Sequence, residues 1–218
     1  MLVFDSVHKF YRVGGVKKTI LSDFSFAFPA DRNVGIMGKN GAGKSTMMRL
    51  MAGIEPPNQG NVFRTSRVSW PLGFSGGFNG SMTGIENIRF VSRIYGQDPA
   101  RVISYVKEFA ELGQSLRLPI KTYSSGMKAR LAFGLSMAID FDVYLIDEIT
   151  AVGDEDFKKK SKAVFQDKLA RSQIIMISHS PSTIAQYCDC GLLLEGNCIR
   201  FYERTEDLLL AYKELNKR

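Results

Sequence analysis

A chain of 218 residues with 44% hydrophobic and 23% charged side chains is long enough to bury one core, or one core carrying a smaller lobe, and its composition argues against disorder and against a membrane-spanning protein. The longest apolar run around a helix, Leu131 to Ile139, is broken by Asp140 and Asp142, far short of a bilayer span. Lysine and arginine outnumber aspartate and glutamate by 29 to 22, a net +7 that admits a solvated basic surface, nucleic acid, an anionic membrane face or an acidic polymer without choosing among them.

The opening MLVFDSVHKF lacks a basic region followed by an apolar core and a small-residue cleavage site, so the expectation is a chain that stays in the cytoplasm. Short β-rich runs come first, LVFDSV, FSFAF and NVGIM, separated by turn residues. From Lys44 to Ala52 the pattern turns helical and stops at Gly53, and EPPNQG after it reads as a loop. Strands are expected near NVF and RVSW. Thr83 and Glu86 have the spacing of a capping box, and Ile85, Ile88 and Val91 trace one face of a helix as far as Gly96. Asp98 and Pro99 supply the cap and first-turn proline of a second helix, which is expected to bury Val102, Val106, Phe109 and Ala110 and to end at Gly113.

YSSGMKARLAF, residues 123 to 133, reads as a turn of small residues opening a helix with a basic stripe and an apolar stripe. VYLIDE and IIMISH follow, continuous apolar runs of the kind that parallel strands show when both faces are buried. Their polar ends lie where open α/β sheets bind ligands. From Gly191 the pattern predicts a hairpin around Glu195 to Asn197, then a helix capped by Thr205 and closing with Lys213, Lys217 and Arg218. Cys188, Cys190 and Cys198 are odd in number and lack C-x-x-C spacing, which fits free thiols in a reducing compartment. The predicted fold is α/β, a single domain over residues 1–218 with an N-terminal β-rich part and a helical subdomain inserted at about 76–139.

GKNGAGKST, residues 38 to 46, follows the NVGIM strand and opens a helix. It matches the phosphate loop G-x-x-x-x-G-K-[ST] in the strand, loop, helix context that pattern requires. Gly38, Lys39, Asn40, Gly41, Ala42, Gly43, Lys44, Ser45 and Thr46 are therefore candidates to hold a nucleoside triphosphate: glycines turn successive N–H groups inward, and the helix start adds its positive end. Lys44 is expected to neutralise the β- and γ-phosphates, and the Ser45 hydroxyl to ligate Mg²⁺. Asp147 and Glu148 end the VYLIDE strand. An aspartate there holds Mg²⁺ through water, and a neighbouring glutamate orients and deprotonates the attacking water, so the pair points to hydrolysis. His179, at the end of a later strand, is a candidate donor to the γ-phosphate.

In this order the residues resemble the nucleotide-binding domain of ABC transporters over nearly the whole chain, which implies a P-loop ATPase core binding ATP and Mg²⁺. That family carries a signature, usually Leu-Ser-Gly-Gly-Gln, that opens a helix of the inserted lobe and caps the γ-phosphate of ATP held by the other subunit. Here Ser124, Ser125, Gly126 and Met127 follow Tyr123, and the resemblance implies that the Ser124 hydroxyl and the Gly126 N–H serve as donors. Ser125 and Met127 depart from the usual Gly and Gln, and Met127 lacks the side-chain hydrogen bond of a Gln, so weaker or differently tuned contacts across the pair are expected. By the same resemblance AVGD, residues 151 to 154, places Asp154 at the dimer seam. Tyr11 is the candidate aromatic for stacking on adenine, with Phe10 the competitor and core packing the alternative for either. The usual Gln between the core and the helical lobe is missing from SWPLGFSGGFNGSMTGIEN, where Ser75 is the substitute candidate.

SWPLGFSGGFNGSMTG, RIYG, SSGMKARLAFGLSMAIDFD and LIDEITAVGD are similar to the ATP-binding subunits of Gram-negative capsular polysaccharide exporters, related to those for O-antigen. That resemblance implies a second copy of the chain, a separate integral membrane permease docked around Trp70 to Gly80, a wider capsule export complex, and a place on the cytoplasmic side of the inner membrane with no nucleic acid partner. The alternative is the ATPase subunit of another ABC exporter, of the O-antigen or teichoic-acid type. A soluble ABC protein acting on ribosomes or DNA is expected to carry tandem cassettes or long inserted arms. A P-loop kinase or GTPase does not explain the signature segment or His179.

Overall fold

Gly14 and Gly15 take positive φ, +57° and +81°, the hand that a two-residue hairpin turn needs to match the twist of its strands. They join β1 (Leu2–Val13) to β2 (Val16–Ala27). The antiparallel register sets Val3 opposite Ala27, Tyr11 opposite Lys18 and Val13 opposite Val16. With β4 (Gln59–Arg64) these strands form a three-stranded sheet in the order β2-β1-β4. The computed structural model describes residues 1–72, 77–147, 155–169, 171–196 and 198–217, and it divides into two compact units, one of Met1–Pro71, Phe141–Ile149 and Ser172–Arg218, the other of Leu72–Asp140 and Thr150–Arg171. Among the described residues no helix is long and apolar enough to cross a membrane.

The first unit also holds a five-stranded sheet in the order β5-β6-β3-β7-β8, built from β3 (Val34–Gly38), β5 (Val143–Asp147), β6 (Gln173–Ile177), β7 (Cys190–Glu195) and β8 (Cys198–Tyr202). β3 pairs in parallel with both β6 and β7, β5 in parallel with β6, and β8 closes the edge antiparallel to β7. The four parallel strands are apolar without alternation because both their faces are covered: every residue of β3 is buried, as are the first four of β5. Helix α1 (Lys44–Met51) buries Met47, Met48, Leu50 and Met51 in the same core as Val34, Ile36, Leu145, Ile175 and Leu192. Each such side chain contributes about 1.5–3 kcal/mol on leaving water.

Two expectations fail in this unit. RVSW does not form a strand; Val68 makes one isolated parallel bridge to Val143. Beyond it the Ser69 hydroxyl accepts the Leu145 N–H at 2.8 Å and donates to the Trp70 carbonyl at 2.7 Å, so a side chain takes the place of the ladder. Thr205 begins the final helix, α7 (Thr205–Leu215), but does not cap it. Arg204 holds the cap position without a side-chain bond, because the Thr205 hydroxyl donates to the Cys188 carbonyl at 2.6 Å. The preceding helix α6 (Pro181–Tyr187) is capped by Ser180.

In the second unit α2 (Gly84–Ile94) starts with the full Thr83–Glu86 capping box, and α3 (Pro99–Ala110) with Asp98 accepting from Ala100 and Arg101. Helix α3 buries Val102, Val106, Phe109 and Ala110. Helix α2 does not bury the face its apolar spacing suggests. Gly84, Asn87, Ile88 and Ser92 are buried, whereas Ile85 and Val91 are only half-buried. Asn87 goes inside because its amide is saturated: it donates to the Asn79, Met82 and Thr83 carbonyls and accepts the Asn79 N–H, which removes the cost of burying it.

Helix α4 (Ser125–Ala138) carries no pair of stripes either. Its opening residues are exposed, Met127 to Arg130 are half-buried, and Leu131, Ala132 and Gly134 to Ala138 are buried. Helix α5 (Glu155–Leu169) supplies Phe157, whose ring meets Phe109 edge-on at 5.4 Å.

Candidate nucleotide site

The phosphate loop runs from the end of β3 into α1. Gly43 has φ +102°, and a Cβ there would sit 2.4 Å from Ile20 Cγ2, so only glycine fits. No side chain caps α1, unlike α2, α3, α4 and α6, which leaves the positive end of this helix available to an anion. Lys44 is 7% exposed, and its ammonium donates to the Gly38 carbonyl at 2.7 Å and the Lys39 carbonyl at 3.1 Å. The loop thus folds around a buried cation.

These groups open on a cavity of about 410 Å³ lined by Asn40, Gly41, Gly43, Lys44, Ser45 and Thr46, by Asp147 and His179 at the strand ends, and by Tyr11, Lys18, Ile20 and Ile177. Asp147 ends β5 opposite Ile177, the last residue of β6, and His179 follows two residues later, so parallel pairing brings both to the mouth that receives the loop after β3. Ala42 is half-buried and donates its N–H to Lys39. Ser124 caps α4 by accepting the Met127 N–H at 3.2 Å. In the second unit Ser124, Gly126 and Met127 line a separate cavity of about 420 Å³ with Glu111, Leu112, Ser115 and Arg130, while Ser125 is exposed. Glu148, Asp154 and Ser75 lie outside the described residues, as do residues 73–76 of the expected docking segment. Trp70, at the start of that segment, is half-buried and meets the Phe141 ring edge-on at 5.2 Å.

Tyr11 lines the cavity, and Phe10 is not among the described residues that do. Phe10 instead receives the Lys17 ammonium 4.2 Å from its ring centroid. The Tyr11 hydroxyl donates to Glu55 at 2.8 Å and accepts from Arg49 at 3.2 Å. Glu55 also pairs with Lys9 at 2.8 Å and with Arg49 at 3.1 Å. Sequence reading missed this cluster, and Lys18 and Ile20 with it. The signal was available only through register: once the Gly14–Gly15 turn sets Lys18 opposite Tyr11, alternation puts Lys18 and Ile20 on Tyr11's side of the sheet.

Burial works to raise the Glu55 carboxyl, and hydrogen bonds from Lys9, Tyr11 and Arg49 outweigh it, holding the group below the usual carboxylate range. Its stabilising share is therefore complete above the ordinary value of about 4.3 and is lost as pH falls through the lower folded value. Glu55→Gln is expected to melt earlier in urea at pH 7, by about 2 kcal/mol. The gap should narrow as the titration passes below about pH 4.3; a gap that stays constant into acid refutes the assignment.

A glycine loop between a central parallel strand and an uncapped helix, with an aspartate and a histidine at neighbouring strand ends, defines a P-loop ATPase fold. The ABC transporter family model matches residues 21–151. The chain is 46% identical over 217 residues to the ATP-binding protein BexA of Haemophilus influenzae, covering 100% of both. It is 48% identical over 217 residues to the capsule polysaccharide export ATP-binding protein CtrD of Neisseria meningitidis serogroup B, covering 99% of both. The fold matches the ATP-binding cassette MJ0796, solved as a dimer in a post-hydrolysis state bound to ADP and Pi, with a TM-score of 0.72 at 17% identity over 94% of this chain and 99% of that one. The chain belongs to the ABC transporter family.

Proposed function

We propose that this chain is the ATP-binding and hydrolysing subunit of an exporter that carries capsular polysaccharide across a bacterial inner membrane. It acts on the cytoplasmic side, paired with a second copy of itself and seated on a separate integral membrane subunit within a wider capsule export complex. The end-to-end similarity to a capsule polysaccharide export ATP-binding protein carries this reading. The cavity between Tyr11 and the phosphate loop supports its chemistry.

Tyr11 stacks on adenine while the loop N–H groups and Lys44 take the phosphates. Ser45 and Asp147, a hydroxyl and a carboxylate in the lining of one cavity, are the hard oxygen donors that fit Mg²⁺, which when bound offsets phosphate charge. Glu148 orients the attacking water and takes its proton, and His179 donates to the γ-phosphate. Ser124, Ser125 and Gly126 of one copy close over the γ-phosphate held by the other, with Asp154 at the seam; Met127 stands where a Gln would donate a further bond.

The test uses the chain together with its membrane subunit in vesicles. Wild type should release phosphate faster when capsular polymer is supplied, and Glu148→Gln with saturating Mg·ATP should run as a pair by light scattering. A Glu148→Gln protein that remains single, alone and with its membrane subunit, refutes the paired mechanism; phosphate release indifferent to the polymer refutes the substrate.

A further inference from the structure

We infer that Lys18, on β2, is a second cation for the phosphates of the nucleotide, acting beside Lys44 in the lining of the same cavity. The inference rests on the ATP-binding reading above and adds a residue that the phosphate-loop pattern does not contain. Lys17 and Lys18 are neighbours on β2, and the pleat sends them to different faces. Lys17 lies over the Phe10 ring at 4.2 Å. Lys18, directly across the hairpin from Tyr11, lines the nucleotide cavity with Ile20. Of the two lysines, Lys18 is the one on the cavity side of the sheet.

Its position there is specific. The Lys18 ammonium stands 4.0 Å from the point where a side chain on Gly41 would begin, above the bare backbone at the middle of the loop. Lys44 donates to the Gly38 and Lys39 carbonyls, and Lys9 pairs with Glu55 and bonds the Pro56 carbonyl. Lys18 is exposed, and its ammonium makes no hydrogen bond or ion pair among the described residues. Among the described lining residues Asp147 is the one acid. A triphosphate carries several negative charges, and one buried lysine with a helix end of about half a charge leaves part of that charge uncompensated. A flexible ammonium over the loop supplies a charge-assisted bond once phosphate arrives, and because it is exposed that bond is screened by salt.

The experiment measures affinity for Mg·ATP, Mg·ADP and AMP by calorimetry on the full chain, as wild type, Lys18→Met, Lys18→Gln and Lys18→Arg, at low and high salt. Methionine keeps the stem and removes the charge. Lys18→Met and Lys18→Gln should each weaken Mg·ATP about five- to twenty-fold at low salt, the deficit should shrink at high salt and from ATP to AMP, and Lys18→Arg should return to within about two-fold of wild type. Melting temperatures matching wild type confirm that an exposed side chain was changed without harm to the fold. Neutral variants that bind Mg·ATP like wild type at low salt overturn the inference and leave the ATP reading intact. A loss equal for all three nucleotides and indifferent to salt also overturns it, because it places Lys18 on the base or ribose. Wild type that binds none of the three overturns the ATP reading and this inference with it.

Discussion

Lys44→Ala is expected to lower phosphate release by on the order of 10²–10³-fold, the usual effect of removing one preorganised electrostatic group from a reacting centre. The side chain is buried, and its ammonium already bridges the Gly38 and Lys39 carbonyls. It therefore has two jobs: it shapes the loop from inside, and it presents a charge to whatever the loop holds. Alanine removes both, leaving the two carbonyls without this donor at a cost of about 1–3 kcal/mol. Phosphate release, nucleotide affinity and the melting temperature of the nucleotide-free chain separate the effects. A fall in melting temperature without loss of nucleotide affinity confines Lys44 to a structural role; hydrolysis within a few-fold of wild type refutes the assignment.

Gly43→Ala should have the next largest effect, and it acts through geometry alone. Its φ of +102° is strained for any side chain, and the new Cβ would lie 2.4 Å from Ile20 Cγ2. Strain of about 1–3 kcal/mol and overpacking of about 1–3 kcal/mol together predict a chain destabilised by roughly 2–6 kcal/mol, with Mg·ATP affinity falling at least ten-fold. The collision has a named partner, so a double-mutant cycle isolates it. Ile20→Ala destabilises on its own by emptying part of the core, yet it should make Gly43→Ala less damaging. Strictly additive losses sink the collision account and leave only the backbone strain.

The α/β fold and the phosphate loop were legible because their determinants are local. A glycine pattern at fixed spacing, a buried apolar run before it and a helical pattern after it all sit within about twenty residues of chain. Helix α3 was equally plain, since Asp98, Pro99 and the spacing of Val102, Val106 and Phe109 agree.

What escaped was set by hydrogen-bond partners outside the element concerned. Asn87 is buried on α2 because the loop from Asn79 to Thr83 supplies its hydrogen bonds, a match that apolar periodicity does not see. Thr205 looks like a cap but spends its hydroxyl on Cys188. RVSW has the composition of a strand, and Ser69 diverts its hydrogen bonding to Leu145. The cluster of Lys9, Arg49 and Glu55 around Tyr11 joins β1 to the segment after α1, and nothing in the spacing of those four residues announces it.

The place of β3 in its sheet has a consequence for how the site fails. A border strand peels away under modest stress, whereas one flanked on both sides, as β3 is by β6 and β7, surrenders only when the whole layer comes apart. Since the loop is the direct continuation of that inner strand, the receptacle is already assembled when its guest arrives and does not charge it for ordering. Heating or mild denaturant should therefore blunt the Tyr11 end of the β1–β2 hairpin, which extends past the last β4 pairing at His8, well before it erases the grip on phosphate.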